Sequence, residues 1–271
     1  IEKEVLEHVK PSKEERKKVF ETAEEIKDRV YKKLDMKYEP RIVGSVAKGT
    51  FLEGPDIDVF VLFPLKVERK KMERLILRVG REILDETVEK YAEHPYIHGR
   101  FNGYKVDIVP CYKLEDIDEM KSAVDRTPFH TDYIIDRLSE EKKDDVILLK
   151  AFLEGIGAYG AKSEVWGFSG YLCELLVLHY GGFREVLENA LDWRMYTRIE
   201  IVESENDFDD PLVVIDPVDP DRNVASALSK EKFFLFVYAA KRYLKESKKT
   251  FFLPNKLKER SKEKLKESVE E

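Results

Sequence analysis

Asp56-Ile57-Asp58 opens an apolar run, Val59-Phe60-Val61-Leu62-Phe63, and this stretch constrains the fold more than any other. In a strand, residues two apart share a face. Asp56 and Asp58 are therefore expected side by side, with Ile57, Val59 and Val61 turned the other way into a core. Two adjacent carboxylates repel unless a cation sits between them. An all-oxygen donor set of this kind suits Mg²⁺. An isolated Asp-x-Asp is more commonly a solvated strand end, so the neighbouring segments decide.

The first neighbour is a hairpin. Tyr96 to Phe101 and Tyr104 to Val109 are strand-like runs joined by Asn102-Gly103, two residues that tolerate the positive φ of a type I′ turn. Asp107 lies within the second run, between Val106 and Ile108. An unpaired carboxylate there is costly to bury, so Asp107 either faces solvent at an edge or joins Asp56 and Asp58 around a metal. Three carboxylates from two strands meet the needs of phosphoryl transfer at two metal ions. The second neighbour is Gly44-Ser45-Val46-Ala47-Lys48-Gly49-Thr50, a small-residue turn. Its backbone N–H groups, a serine hydroxyl and a lysine ammonium suit phosphate oxygens. The spacing is not that of a Walker A loop.

The wider pattern predicts an α/β (α+β) chain. Ser12 caps a helix on which Val19, Ala23, Ile26, Val30 and Leu34 recur every three or four residues. Strands are expected at 40–44 and 58–63, a helix over 66–86, and the hairpin over 96–110. Together they make a small mixed-sheet palm with flanking helices, residues 1–138. Residues 139–248 read as a mainly helical neck, with dense apolar runs at 146–153, 171–180 and 233–243 and an extended piece at 211–216. Residues 249–271 read as the start of a further body domain. Gly155-Ile156-Gly157-Ala158-Tyr159-Gly160 matches a dinucleotide fingerprint in letters only. It follows a helical run, and so reads as a helix end and loop.

Net charge is −7, which argues against a generic nucleic-acid binder. Residues 241–266 nevertheless hold eleven Lys/Arg against three Glu, +8 locally, which leaves −15 elsewhere. Such a basic segment fits contact with phosphate backbone, or a solvated Lys/Glu helix face. Charged residues make up 38% of the chain and glutamine is absent, the composition of a hyperthermophile. Cys111 and Cys173 lack metal-ligand spacing and read as buried free thiols. No run approaches the 18 or so apolar residues that cross a bilayer, so no membrane is expected. The chain opens on Ile1 without signal character and closes inside a Lys/Glu helical pattern, which predicts a shortened form.

Gly-Ser, then Asp-x-Asp, then a distal strand aspartate resembles the nucleotidyltransferase superfamily that includes DNA polymerase β and poly(A) polymerases. The blocks Ala92-Glu93-His94-Pro95-Tyr96, Val106 to Tyr112, Lys121 to His130, Gly167 to Leu176, and Asp216-Pro217-Val218-Asp219 with Arg222-Asn223-Val224-Ala225 narrow the likeness. They resemble the archaeal, class I CCA-adding enzymes over most of residues 40–230. The resemblance implies that Asp56, Asp58 and Asp107 hold two Mg²⁺ ions, Asp56 standing where many relatives carry Glu. It implies that Gly44, Ser45 and Lys48 hold the triphosphate, with Lys48 where relatives often carry Arg. His130, Lys150 and Tyr159 would surround the phosphates and sugar of the incoming nucleotide, and Arg222 would read the base of CTP or ATP.

The implied reaction is template-independent addition of CMP and AMP to the 3′ end of tRNA with release of pyrophosphate. A cytoplasmic setting and a homodimer in the full-length form follow from the same likeness. So does weak grip on tRNA in a form cut short of its body and tail. The residues themselves leave other readings open. Lys150 can be a snorkelling surface lysine, His130 a capping or packed imidazole, and Arg222 a turn arginine paired with Asp219 or Asp221. Asp125 and Arg126 read as an ion pair supporting the loop before His130. Alternative functions are a poly(A) polymerase or 2′-5′ oligoadenylate synthetase-like enzyme, and a non-catalytic nucleotide or RNA sensor on the same palm.

Overall fold

The computed structural model of the chain describes residues 1–253. It divides into two units, Lys10–Ser139 and a second made of Ile1–Val9 with the residues from Glu140 onward. Helix α1 (Glu2–Val9) packs on the second unit, whereas the sequence reading grouped it with the palm.

The first unit begins with α2 (Lys13–Lys33), where the Ser12 hydroxyl accepts from Glu15 N at 3.1 Å. That bond satisfies one of the free N–H groups at the helix start. The unit continues through β1 (Glu39–Val43), α3 (Gly44–Lys48), β2 (Ile57–Pro64), α4 (Arg69–Ile83), β3 (Asp85–Tyr91), β4 (Pro95–Phe101), β5 (Tyr104–Lys113) and α5 (Thr127–Arg137). The strands form one mixed sheet in the order β1-β2-β5-β4-β3, and only β2 and β5 are paired in parallel.

Alternation along β2 decides the faces. Ile57, Val59, Val61 and Phe63 are fully buried with Val19, Ile26 and Val30 of α2 and Met72, Ile76 and Val79 of α4. Phe60 and Leu62 point to the opposite face, with Val43, Val109 and Cys111. Burying each such side chain contributes about 1.5–3 kcal/mol. A one-residue slip would expose the whole first set, so the register is pinned. The expected hairpin is present: Asn102 and Gly103 have φ of 48° and 86° and join β4 to β5.

Three local expectations change. The helix expected over 66–86 ends at Ile83, and β3 begins at Asp85. It is a charged edge strand, Asp85 to Tyr91, and its polar residues carry no period-2 apolar signal. Gly44 to Lys48, expected as a loop, winds into a single helical turn closed by Gly49 at φ 70°. β2 starts at Ile57, so Asp56 belongs to the segment before the strand.

The second unit is mainly helical: α6 (Glu140–Gly155), α7 (Gly170–Tyr180), α8 (Phe183–Ala190) and α9 (Lys230–Lys245), with a two-stranded parallel sheet of β6 (Thr197–Ile199) and β7 (Leu212–Val214). Ser169 and Ser229 hydroxyls cap α7 and α9. Phe152 sits at the centre of an aromatic core with Phe183, Phe236, Tyr243, Phe251 and Phe252. The Gly155–Gly160 segment is the end of α6 and the loop beyond it, as expected. Cys111 and Cys173 are buried free thiols. No helix among the described residues is long and apolar enough to cross a membrane. Residues 254–271, which hold most of the expected body-domain start and much of the basic segment, lie outside the described residues.

Candidate active site

The parallel pairing of β2 with β5 sets Asp58 directly opposite Asp107. Strand neighbours lie about 4.8 Å apart, so the two carboxylates meet across a single strand spacing. Asp58 alternates with Phe60 and Leu62 and therefore emerges on the face that α2 and α4 do not cover. Burial pushes the Asp58 carboxyl up to about 7, and the charges of Asp107 and then Asp56 add to the rise. Lys48 opposes it from close by, as a buried cation at the end of α3.

A crowded, partly desolvated carboxylate group of this kind is relieved by a cation, and its oxygen donors fit a hard divalent ion. Among the described residues no three His, Cys, Asp or Glu side chains are already gathered in ligating geometry. Asp58 and Asp107 are register neighbours, and Asp56 acts on Asp58 from the segment just before β2.

Gly44 turns the chain out of β1 with φ of 68°, and its backbone N–H donates to Thr131 Oγ1 on α5 at 3.3 Å. Gly44 also leaves room for Asp58, because a Cβ there would stand 2.5 Å from Asp58 Oδ2. Ser45 is half-buried on α3, and His130 is half-buried on α5 beside Thr131. Asp125, expected to pair with Arg126, accepts backbone N–H groups from Tyr112, Lys121 and Ser122 at 2.8, 3.0 and 2.9 Å. It thereby secures the segment that leads into α5.

A cleft of about 400 Å³ adjoins the carboxylates, walled by Phe60, Tyr96, Val109 and Val124 with Asp58 and Asp107 at its edge. Burial, with help from Asp107 and Asp58, raises the Tyr96 pKa and keeps the phenol protonated. A larger cleft of about 610 Å³, lined by Lys27, Tyr31, Tyr38 and Lys113, contains none of these acids. Volume alone does not mark the site.

One neighbour of the acids escaped the sequence reading. His98 on β4 is the register partner of Asp107, and its Nδ1 donates to Asp107 Oδ1 at 2.5 Å. The signal was present. With Asn102-Gly103 as the two turn residues, counting outward pairs 101 with 104 and 98 with 107.

In the second unit, Lys150 on α6 is 1% exposed, with its Nζ 3.2 Å from Glu174 Oε1 on α7, itself 0% exposed. Burial is the largest influence and works against the lysine charge, but Glu174, Tyr159 and Cys173 together outweigh it and the Lys150 pKa is raised. A snorkelling surface lysine is thus excluded. Burial pushes the Tyr159 phenol up to about 12. Gly170 lies against both, since a Cβ there would come 3.2 Å from Tyr159 OH and 3.5 Å from Lys150 Nζ. Arg222 pairs through Nη1 with Asp216 Oδ2 at 2.8 Å, a partner that the sequence reading did not consider. Asp216 is fully buried and also accepts from Tyr171 OH and Val218 N.

Residues 22–144 match the model of the nucleotidyltransferase domain, and residues 144–253 that of the second domain of tRNA nucleotidyltransferase. The CCA-adding enzyme of Sulfurisphaera tokodaii is 46% identical over 259 residues, which are 94% of this chain and 62% of that protein. That of Methanosarcina barkeri is 42% identical over 259 residues, 92% of this chain and 57% of the relative. The chain thus spans roughly three-fifths of the length of the curated relatives it matches. Among solved structures, Cid1 poly(U) polymerase with Mg 3′-dATP bound aligns at a TM-score of 0.71 and 14% identity, covering 94% of this chain and 98% of that one. CdnC of E. coli with ATP aligns at 0.64 and 17% identity, covering 92% and 94%. At these identities the likeness is one of fold.

Proposed function

Because the chain belongs to the tRNA nucleotidyltransferases known as CCA-adding enzymes, we propose that it adds CMP and AMP from CTP and ATP to the 3′ end of tRNA. Pyrophosphate is released and no template is read. The observation that carries this reading is the Asp58–Asp107 pair on neighbouring strands, with Asp56 close enough to act on Asp58.

Asp56, Asp58 and Asp107 are the residues that would hold two Mg²⁺ ions. Bound there, the metal would neutralise phosphate charge and ease deprotonation of the attacking hydroxyl. The chain's own part is placement and charge. Gly44, Ser45 and Lys48 receive the triphosphate, with the Gly44 turn leaving Asp58 unobstructed. His130 is carried on α5, which Thr131 ties to Gly44. The cleft beside Asp58 and Asp107, with Tyr96 in its wall, takes the terminal nucleotide of the tRNA acceptor. In the second unit, Lys150 supplies a cation and Tyr159 a phenol to the nucleotide. Arg222, braced by Asp216, offers its remaining donors to the base; a planar fork suits two bases read in turn. No covalent enzyme intermediate is needed, so catalysis rests on positioning and electrostatics. The same reading makes Lys10–Ser139 the palm and residues 140–248 the neck that recognises the base. It sets the reaction in the cytoplasm, with a homodimer for the longer form.

The test is incorporation on tRNA ending in the discriminator, C or CC, with each nucleotide and Mg²⁺. CTP on the first two ends and ATP on the third is the expected result. ATP alone on every end would favour a poly(A) polymerase instead. Unchanged turnover in Asp107→Ala would favour a non-catalytic palm.

A further inference from the structure

His98, Asp107 and Asp58 occupy one row across three adjacent strands, β4, β5 and β2, each the register partner of the next. The row is held by the Asn102-Gly103 turn on one side and by the parallel β2–β5 pairing on the other. His98 Nδ1 lies 2.5 Å from Asp107 Oδ1, and the two side chains are 20% and 22% exposed. A carboxylate accepts and does not donate, so the ring nitrogen supplies the proton of this bond.

Aspartate χ2 is a broad torsion that packing alone defines poorly. Asp107 also faces the like charge of Asp58 across one strand spacing, which drives the two apart. A donor fixed to Oδ1 counters both tendencies and limits the rotation of the carboxylate. Building on the carboxylate site proposed above, we infer that His98 is a positioning residue for Asp107, holding it in the rotamer that binds the divalent cation. Partners of this kind behind a ligand are worth about 10- to 100-fold in metal affinity.

The test is Mn²⁺ uptake by the whole chain, read from the electron paramagnetic resonance signal of free Mn²⁺. The variants are His98→Phe, which keeps a ring without a donor, His98→Asn, which restores a donor near Nδ1, Asp107→Ala, and the Phe and Ala changes combined. Expected results are affinity about 10- to 100-fold weaker for His98→Phe, most of it recovered by His98→Asn, and no further loss from Phe once Asp107 is gone. Should the Phe variant melt early by circular dichroism, His98→Ala against His98→Asn asks the same question. Wild-type affinity in His98→Phe, an Asn variant as poor as Phe, or a further loss in the Asp107→Ala background would each overturn the inference. Wild-type affinity in Asp107→Ala would overturn the carboxylate site itself, and His98 with it. Loss in Asp107→Ala but not in His98→Phe would remove His98 alone.

Discussion

Gly44 and Asp58 share one space: a Cβ on Gly44 would stand 2.5 Å from Asp58 Oδ2, and the Gly44 φ is 68°. Alanine at 44 therefore meets a carboxylate and adopts a left-handed backbone that costs it about 1–2 kcal/mol. Gly44→Ala should lower the urea midpoint correspondingly and reduce nucleotide incorporation at least tenfold as Asp58 is displaced. Full incorporation by a folded Ala variant would mean that the position of Asp58 is not critical.

Asp58 gives the metal-free protein a defined pH response. Its folded pKa is about 7 against an ordinary value of 3.8, so between these limits the folded state holds a proton that the unfolded state has released. Stability in chelator should fall as pH rises from about 4 to 7, by up to about 4 kcal/mol from this group. Asp58→Asn should flatten that segment of the curve, measured by urea unfolding at each pH. Above pH 7, Mg²⁺ should stabilise the wild type more than the Asn variant.

Lys150 and Glu174 are a buried pair, at 1% and 0% exposure. Removing one partner strands the other charge, which costs about 3–5 kcal/mol, whereas replacing both by apolar groups is often neutral. Glu174→Ala should thus be strongly destabilising. Lys150→Met with Glu174→Leu should recover most of the stability but not nucleotide affinity, read by calorimetric titration with CTP.

Arg222→Lys keeps a cation for Asp216 and loses the planar fork. The melting temperature should barely move, while affinity for CTP and ATP falls about tenfold, the worth of one charge-assisted hydrogen bond. Unchanged nucleotide affinity would assign Arg222 to the fold alone.

What could be read in advance followed local periodicity. Ser12 as a cap, the buried face of β2 and the Asn102-Gly103 turn are each set by residues a few positions apart. β3 was missed because an edge strand built from Asp, Glu and Lys resembles the end of the helix before it. Glu174 as the partner of Lys150, and Asp216 as the partner of Arg222, depend on how buried segments pack. No local spacing announces such pairs. His98 lies between these cases, reachable by counting pairs out from the turn.

The single parallel pairing in the sheet bears on how the site comes into being. His98 and Asp107 belong to one hairpin and meet as soon as its two-residue turn closes. Asp58 joins them only when β2 is laid beside β5, across α4, β3 and β4. That step carries a long loop-closure cost and belongs to the slow, non-local part of folding. The histidine–aspartate contact is therefore available early in folding, and the aspartate pair late. A metal ion added during refolding should find its full affinity only once β2 docks beside β5, so its binding times that non-local step.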